Sequence, residues 1–171
     1  LVLNAADNLA SDYPLRLDSD SGNLELLGGE RVVTSQALAE TSRVVINGED
    51  GQDDSLRIDF NHGGFFSLEG GITFNGGADG FDALEVTGGA FTAVTHNITP
   101  TGPGARGAIG HEDGPNPAFN INYTGLEPGD LTGSTVAELG FNLPGPGDQA
   151  RLEDGGGALP RGSQLRRPDG L

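Results

Sequence analysis

Residues 44–59 read VVINGEDGQDDSLRID and residues 72–87 read ITFNGGADGFDALEVT, and the two align without a gap at a spacing of 28. Asn47 falls on Asn75, Gly48 on Gly76, Asp54 on Asp82, Leu56 on Leu84 and Ile58 on Val86. Each copy is an apolar β-forming triplet, an Asn-Gly turn, an acidic Gly-rich loop and a strand of alternating character. A period of roughly 20–50 residues is the mark of stacked units, because one such unit cannot bury its apolar face without a neighbour. Leu56, Ile58 and Phe60 share one face and Arg57 and Asp59 the other, at the period of two that a strand imposes. Leu84, Glu85, Val86 and Thr87 repeat that alternation. The Asn-Gly pairs supply corners, and residues 65–68 and 91–95 add a third short strand to each unit. Three strands in 28 residues describe one coil of a parallel β-helix. The expected fold is therefore all-β, a parallel β-helix or solenoid, with Arg57 stacked over Glu85 and Asn47 over Asn75 as an amide ladder.

The flanks depart from this period. Residues 1–43 contain two short alternating strands, at 15–17 and 24–27, joined by the turn cluster Ser19-Asp20-Ser21-Gly22-Asn23. They fall outside the 28-residue register, as the atypical end units of solenoids often do, and read as an N-terminal β cap. Residues 35–42 are the only helical candidate, too short to hold a helix alone. Residues 44–100 form the repeat core and residues 101–143 a loop-rich β segment, with a long loop at 101–117 and strands at 119–123 and 136–141. Eight of the ten prolines and 16 of the 30 glycines lie after residue 100. From residue 144 to 171 the composition is that of a Gly/Pro/Arg linker or extension.

With 171 residues the chain is long enough to bury a core as one domain. It has no Cys, which excludes disulfides, thiolate metal sites and a cysteine nucleophile. The absence of Met, with Leu at position 1, is the expectation of a processed product or a fragment. No apolar run approaches the roughly 18 residues of a membrane span. The net charge of −16 argues against a nucleic-acid partner, since phosphates would be repelled. The charge is uneven: residues 1–150 hold 5 Arg and 22 acids, residues 151–171 hold 4 Arg and 3 acids.

The loops Gly48–Leu56 (numbers 48–56, GEDGQDDSL) and 76–84 (GGADGFDAL) resemble the GGxGxDxL calcium-binding repeats of haemolysin-type secreted proteins. Gly76, Gly77, Gly80, Asp82 and Leu84 match with one extra residue in the loop; Gly48, Gly51, Asp54 and Leu56 match more loosely. The wider run, with INGEDG, GGITFNGG and INYTGLEP, is similar to repeats of very large bacterial cell-surface proteins. The resemblance covers about residues 44–130. It implies a secreted, β-solenoid, adhesive or structural protein, often stabilised by calcium. One departure counts against regular calcium binding: the tandem nine-residue array of that family is missing.

Calcium is accordingly the candidate cofactor, with Asp50, Asp53, Asp54, Asp79 and Asp82 as the carboxylates that would supply its six to eight oxygens; the alternative is a solvated acidic loop. His62, His96 and His111 are scattered and show no paired zinc spacing. Asn97-Ile98-Thr99 and Asn122-Tyr123-Thr124 fit the N-glycosylation triplet. Asp53-Asp54 and Asn61-His62-Gly63 are a poor match to the elements of pectin-degrading β-helix hydrolases, and the chain has no Lys for their Arg-x-Lys element. No nucleophile elbow or phosphate-binding loop is present.

The reading is a secreted, non-catalytic structural subunit of a bacterial surface layer or extracellular fibre. It would assemble as a homo-oligomer or filament through β edges and through the C-terminal tail, whose Arg151, Arg161, Arg166 and Arg167 would face acidic loops of a neighbour. The alternatives are a calcium-dependent adhesin module that binds extracellular polysaccharide, and a polysaccharide-degrading β-helix enzyme.

Overall fold

Alternating burial runs through residues 44–47, 55–59, 72–75 and 83–87, and the central strands follow it. The computed structural model describes residues 1–5, 11–100, 105–114, 116–126, 129–130, 135–143, 145, 151–154 and 163–166. In chain order these hold β1 (Val2–Asn4), β2 (Asp12–Asp18), β3 (Asn23–Gly28), β4 (Arg31–Ala37), a 3-10 turn (Leu38–Glu40), β5 (Val44–Asn47), β6 (Ser55–Asp59), β7 (Ile72–Asn75) and β8 (Ala83–Thr87). There follow β9 (Ala90–Pro100), β10 (Ala105–Asp113), β11 (Asn116–Leu126), β12 (Gly129–Asp130), β13 (Thr135–Asn142), β14 (Arg151–Asp154) and β15 (Ser163–Arg166). The protein is all-β, with no α-helix among the described residues. None of its helical turns is long and apolar enough to cross a membrane.

The strands make two large mixed sheets and a small one. The first has the order β1-β5-β7-β11-β10-β9-β13, the second β12-β8-β6-β2-β3-β4, and β14 pairs with β15 alone. Neither large sheet closes into a barrel. The 28-residue spacing of the sequence is the register of the central parallel pairs: Val44 lies beside Ile72, Asn47 beside Asn75, Leu56 beside Leu84 and Arg57 beside Glu85. In β6 and β8 the same alternate positions are buried, and in β5 and β7 likewise.

The N-terminal segment joins these rows at a different spacing. β1 lies parallel to β5 with Asn4 beside Asn47, and β2 lies parallel to β6 with Leu15 beside Ile58, both 43 residues apart. The antiparallel hairpin β3–β4, spliced in after β2, accounts for the longer step. At the other end β11 lies parallel to β7 with Thr124 beside Asn75, 49 residues on. Here the splice is β9–β10, inserted after β8. β12 and β13 then run parallel to β8 and β9.

Side chains from both large sheets meet in one apolar cluster. Leu3, Ile46, Phe74 and Ile121 come from the first sheet, Tyr13, Leu15, Leu56, Ile58, Leu84 and Val86 from the second. Ile46, Leu56, Ile58, Ile72 and Phe74 are wholly inaccessible. Removing one such side chain from water is worth about 1.5–3 kcal/mol, so the alternation that writes the strands also supplies their cohesion.

Three local expectations are corrected. Residues 65–68 form no strand, although Phe66 and Leu68 are buried: they fill the core beside Phe60 from an irregular segment. Of residues 35–42, the first three end β4 and only Leu38–Glu40 are helical, as a single 3-10 turn. The long loop expected over 101–117 is largely β10, because Ile109 and His111 alternate inward while β9 and β11 flank it on both sides. Residues 101–104 of that loop lie outside the described residues.

Candidate functional site

The acidic loops come together as the repeat requires, and their carboxylates accept backbone amides: Asp50, Asp53 and Asp82 from the adjacent pass, Asp54 from its own loop. Asp50 Oδ1 accepts the Ala78 N–H at 2.9 Å, and Asp53 Oδ1 accepts the Phe81 N–H at 2.8 Å. Asp82 Oδ1 accepts the Asp54 N–H at 2.9 Å in a buried bond, and Asp54 Oδ2 accepts the Glu49 N–H at 2.7 Å. Asp54 and Asp82 are 1% and 2% exposed. Burial raises the Asp54 carboxyl above the ordinary value, against the pull of the Glu49 amide and with a contribution from the Asp53 charge. Asp79 is exposed and occupies the left-handed region at φ 61°. Among the described residues no three His, Asp or Glu side chains converge as a metal shell would need. As they stand, one oxygen of each of Asp50, Asp53, Asp54 and Asp82 is bonded to a backbone amide.

The corners that bring the loops so close depend on glycine. Gly48 donates its N–H to the Asn75 carbonyl, and a Cβ on Gly48 would overlap the Gly76 carbonyl oxygen and sit 2.8 Å from Asp54 Oδ2. Beside the corners runs the amide ladder. Asn47 Nδ2 donates to Asn4 Oδ1 at 2.9 Å, Asn75 Nδ2 to Asn47 Oδ1 at 2.6 Å, and Thr124 Oγ1 to Asn75 Oδ1 at 3.1 Å. Each rung satisfies part of the next, and the row crosses four strands.

The outer face of the first sheet holds a recess of about 270 Å3. Its walls are Thr73 and Asn75 on β7, Asn122 and Thr124 on β11, and Asn97 and Thr99 on β9. Arg106 stands at one end, and Gly107 and Ala108 of β10 make the floor. Gly107 is the only residue that fits there, because a Cβ would meet the Asn97 carbonyl oxygen and would come within 2.6 Å of the Tyr123 hydroxyl. Both glycosylation triplets lie on this face: at a period of two, Asn-x-Thr in a strand puts Asn and Thr on one side. Asn97 and Asn122 are both exposed, and Asn142 Nδ2 donates to Asn97 Oδ1 at 2.6 Å. The alternating polar positions were readable in the sequence; the recess itself depends on neighbours 49 residues away.

Of the histidines, only His62 is exposed. His96 Nε2 and the Tyr123 hydroxyl are 2.5 Å apart, and burial moves His96 down to about 4 and Tyr123 up to about 12. That pair is therefore a neutral imidazole and a phenol. His111 is stacked on Phe119 at 4.7 Å and set edge-on to Phe91 at 4.8 Å, and is 1% exposed. Neither ring nitrogen forms a hydrogen bond of good geometry. Burial pushes His111 down to about 4, eased by the Ile109 backbone, with a smaller contribution from the nearness of His96, since two protonated imidazoles would repel.

Of the four tail arginines, Arg151 and Arg166 face each other in register as a pair of the β14–β15 ladder, while Arg161 and Arg167 lie outside the described residues. Comparison of the chain with known protein families, with curated proteins and with solved structures finds no match.

Proposed function

We infer that this chain is a secreted, non-catalytic structural subunit of a bacterial surface layer or extracellular fibre, built as a short parallel β-helix. The observation that carries the reading is the parallel 28-residue register, in which Asp54, Asp82, Asn47 and Asn75 bond from one pass to the next. Side chains of catalytic type are thereby committed to holding the stack. Assembly has a ready route in the sheet edges. The edge strands β1, β4 and β13 present Val2, Val32 and Leu139 at 61%, 40% and 48% exposure, and an open edge is a template for another chain. The Arg-bearing tail, whose residues 151–171 hold 4 Arg and 3 acids beside the acidic body, is the second route, and a head-to-tail contact of that kind propagates into a filament unless it closes.

Sedimentation and electron microscopy of the full chain against a chain ending at residue 143 test this. Concentration-dependent assembly of the full chain, weakened or lost on truncation, is the expected result. A full chain that stays monomeric at every concentration would refute the assembly role, and unchanged assembly after truncation would remove the tail from it.

A further inference from the structure

Some groups of the recess on the first sheet, Asn75, Thr124 and Asn97, also bond from strand to strand, and the chemistry of the lining as a whole is selective. Its polar groups lie in two rows across the strands. In one, Thr73 is beside Asn122, Asn122 beside Ala108, Ala108 beside Asn97 and Asn97 beside Asn142. In the other, Asn75 is beside Thr124 and Arg106 beside Thr99, and the Asn47 and Asn4 rungs extend the row past the recess. Neighbouring strands are about 4.8 Å apart, so each row is a line of closely spaced amides and hydroxyls, sunk in the middle where the small Ala108 stands between Asn97 and Asn122.

Amides and hydroxyls both donate and accept, which suits a ligand rich in hydroxyl groups. None of the ten lining residues is acidic. A net charge of −16 disfavours a polyanion, and one lining arginine does not reverse that. A peptide would need a free strand edge to add to the sheet, whereas β7, β11, β10 and β9 are each paired on both sides. Rows that run on beyond the recess suit a chain more than a single sugar ring.

We propose that this recess binds an uncharged polysaccharide chain, laid across the strands, and binds it without cleavage or calcium. Glycoside hydrolysis uses two carboxyl groups flanking the scissile bond, and the lining offers none. Calcium-bridged sugar binding would need the same missing oxygens.

The test is titration calorimetry and thermal melting of the full chain with cellohexaose, maltohexaose and mannohexaose, each also as the monosaccharide, and with hexagalacturonate as the acidic counterpart. At least one neutral hexamer should bind at millimolar concentration or below and raise Tm, its monosaccharide at least about tenfold more weakly. Chelator should leave the binding unchanged, and no reducing ends should form. Ala108→Trp, which fills the recess from its floor, should weaken binding about tenfold or more. Asn122→Ala, at an exposed position, should weaken it with the ligand-free Tm retained, and it decides the matter if the tryptophan variant fails to fold. The proposal is overturned if no neutral hexamer binds, if hexagalacturonate binds better than all of them, if the sugar is cleaved, if chelator abolishes binding, or if Asn122→Ala binds as tightly as the parent.

Discussion

Between β5 and β8 the chain repeats at 28 residues, and each polar group at the corner meets its equivalent in the next pass. Between β9 and β13 a spliced hairpin interrupts the period, and the polar groups either turn outward or are buried singly. Strict repetition lets identical side chains satisfy one another, but it leaves no hollow, since equal residues fill equal space. Interruption sets Ala108 between Asn97 and Asn122, which opens a recess, and strands an uncharged histidine among phenylalanines. In this molecule order and chemical individuality occupy different stretches of one core.

Four measurements would break or sharpen that contrast. The largest effect belongs to the regular stretch. Ile58→Asp puts an unpaired charge at a wholly inaccessible position between β2 and β8, a cost of several kcal/mol in a protein whose total stability is of the order of 5–15 kcal/mol. Circular dichroism should show loss of the folded signal at room temperature. A folded variant would mean that the parallel rows do not enclose a common core.

Acid should find the irregular stretch. His111 titrates near 4 when folded and near 6.5 when unfolded, so between those values the unfolded chain binds more protons and stability falls as pH falls. At 1.36 kcal/mol per pH unit, the loss by pH 4 is about 3 kcal/mol, fully absent above pH 6.5. Urea midpoints at pH 7 and pH 4.5 should therefore separate more in the parent than in His111→Phe, which keeps only the comparable contribution of His96. Carboxylates, Asp54 included, cancel in that difference. Parallel pH profiles for the two proteins would show His111 to be hydrated in solution.

The carboxylates of the regular loops should divide by burial. Asp82→Ala deletes the acceptor of the buried Asp54 N–H and should cost about 1–3 kcal/mol. Asp50→Ala, at an exposed bond, should stay within about 0.5 kcal/mol by denaturant titration. Equal effects would dissolve the distinction between loop tip and loop base. Smallest of all is the response to calcium: with the aspartates already bonded to amides, millimolar calcium or chelator should move Tm by less than about 2 °C. A larger rise would put an ion on these loops through binding to the folded form.

What the sequence discloses follows the same division. Leu56, Ile58, Leu84 and Val86 announce their burial by alternation, and Asn47 with Asn75 announces the ladder by position. The strand at Val2–Asn4 stays hidden because its partner stands 43 residues on; residues 119–123 read as a strand, but their place beside β7, 49 residues back, is passed over by a search at fixed period. β10 reads as loop since its flanking prolines and internal glycines mask the alternation of Ile109 and His111. The recess is less legible still. Asn-x-Thr looks the same whether it awaits a glycan, faces solvent or lines a hollow, and only the strands on either side decide.

Both spliced hairpins enter at one station of the circuit, after a strand of the second sheet and before the next strand of the first. The pass in between has the short segment 60–71 at that station, with Asn61 and His62 exposed at its tip. The hairpins at this station leave the rows of parallel strands in register on both sides. An exposed peptide or reporter placed after Asn61 would occupy the gap that its neighbours have already filled, turning the molecule into a scaffold with a vacant berth halfway along its length.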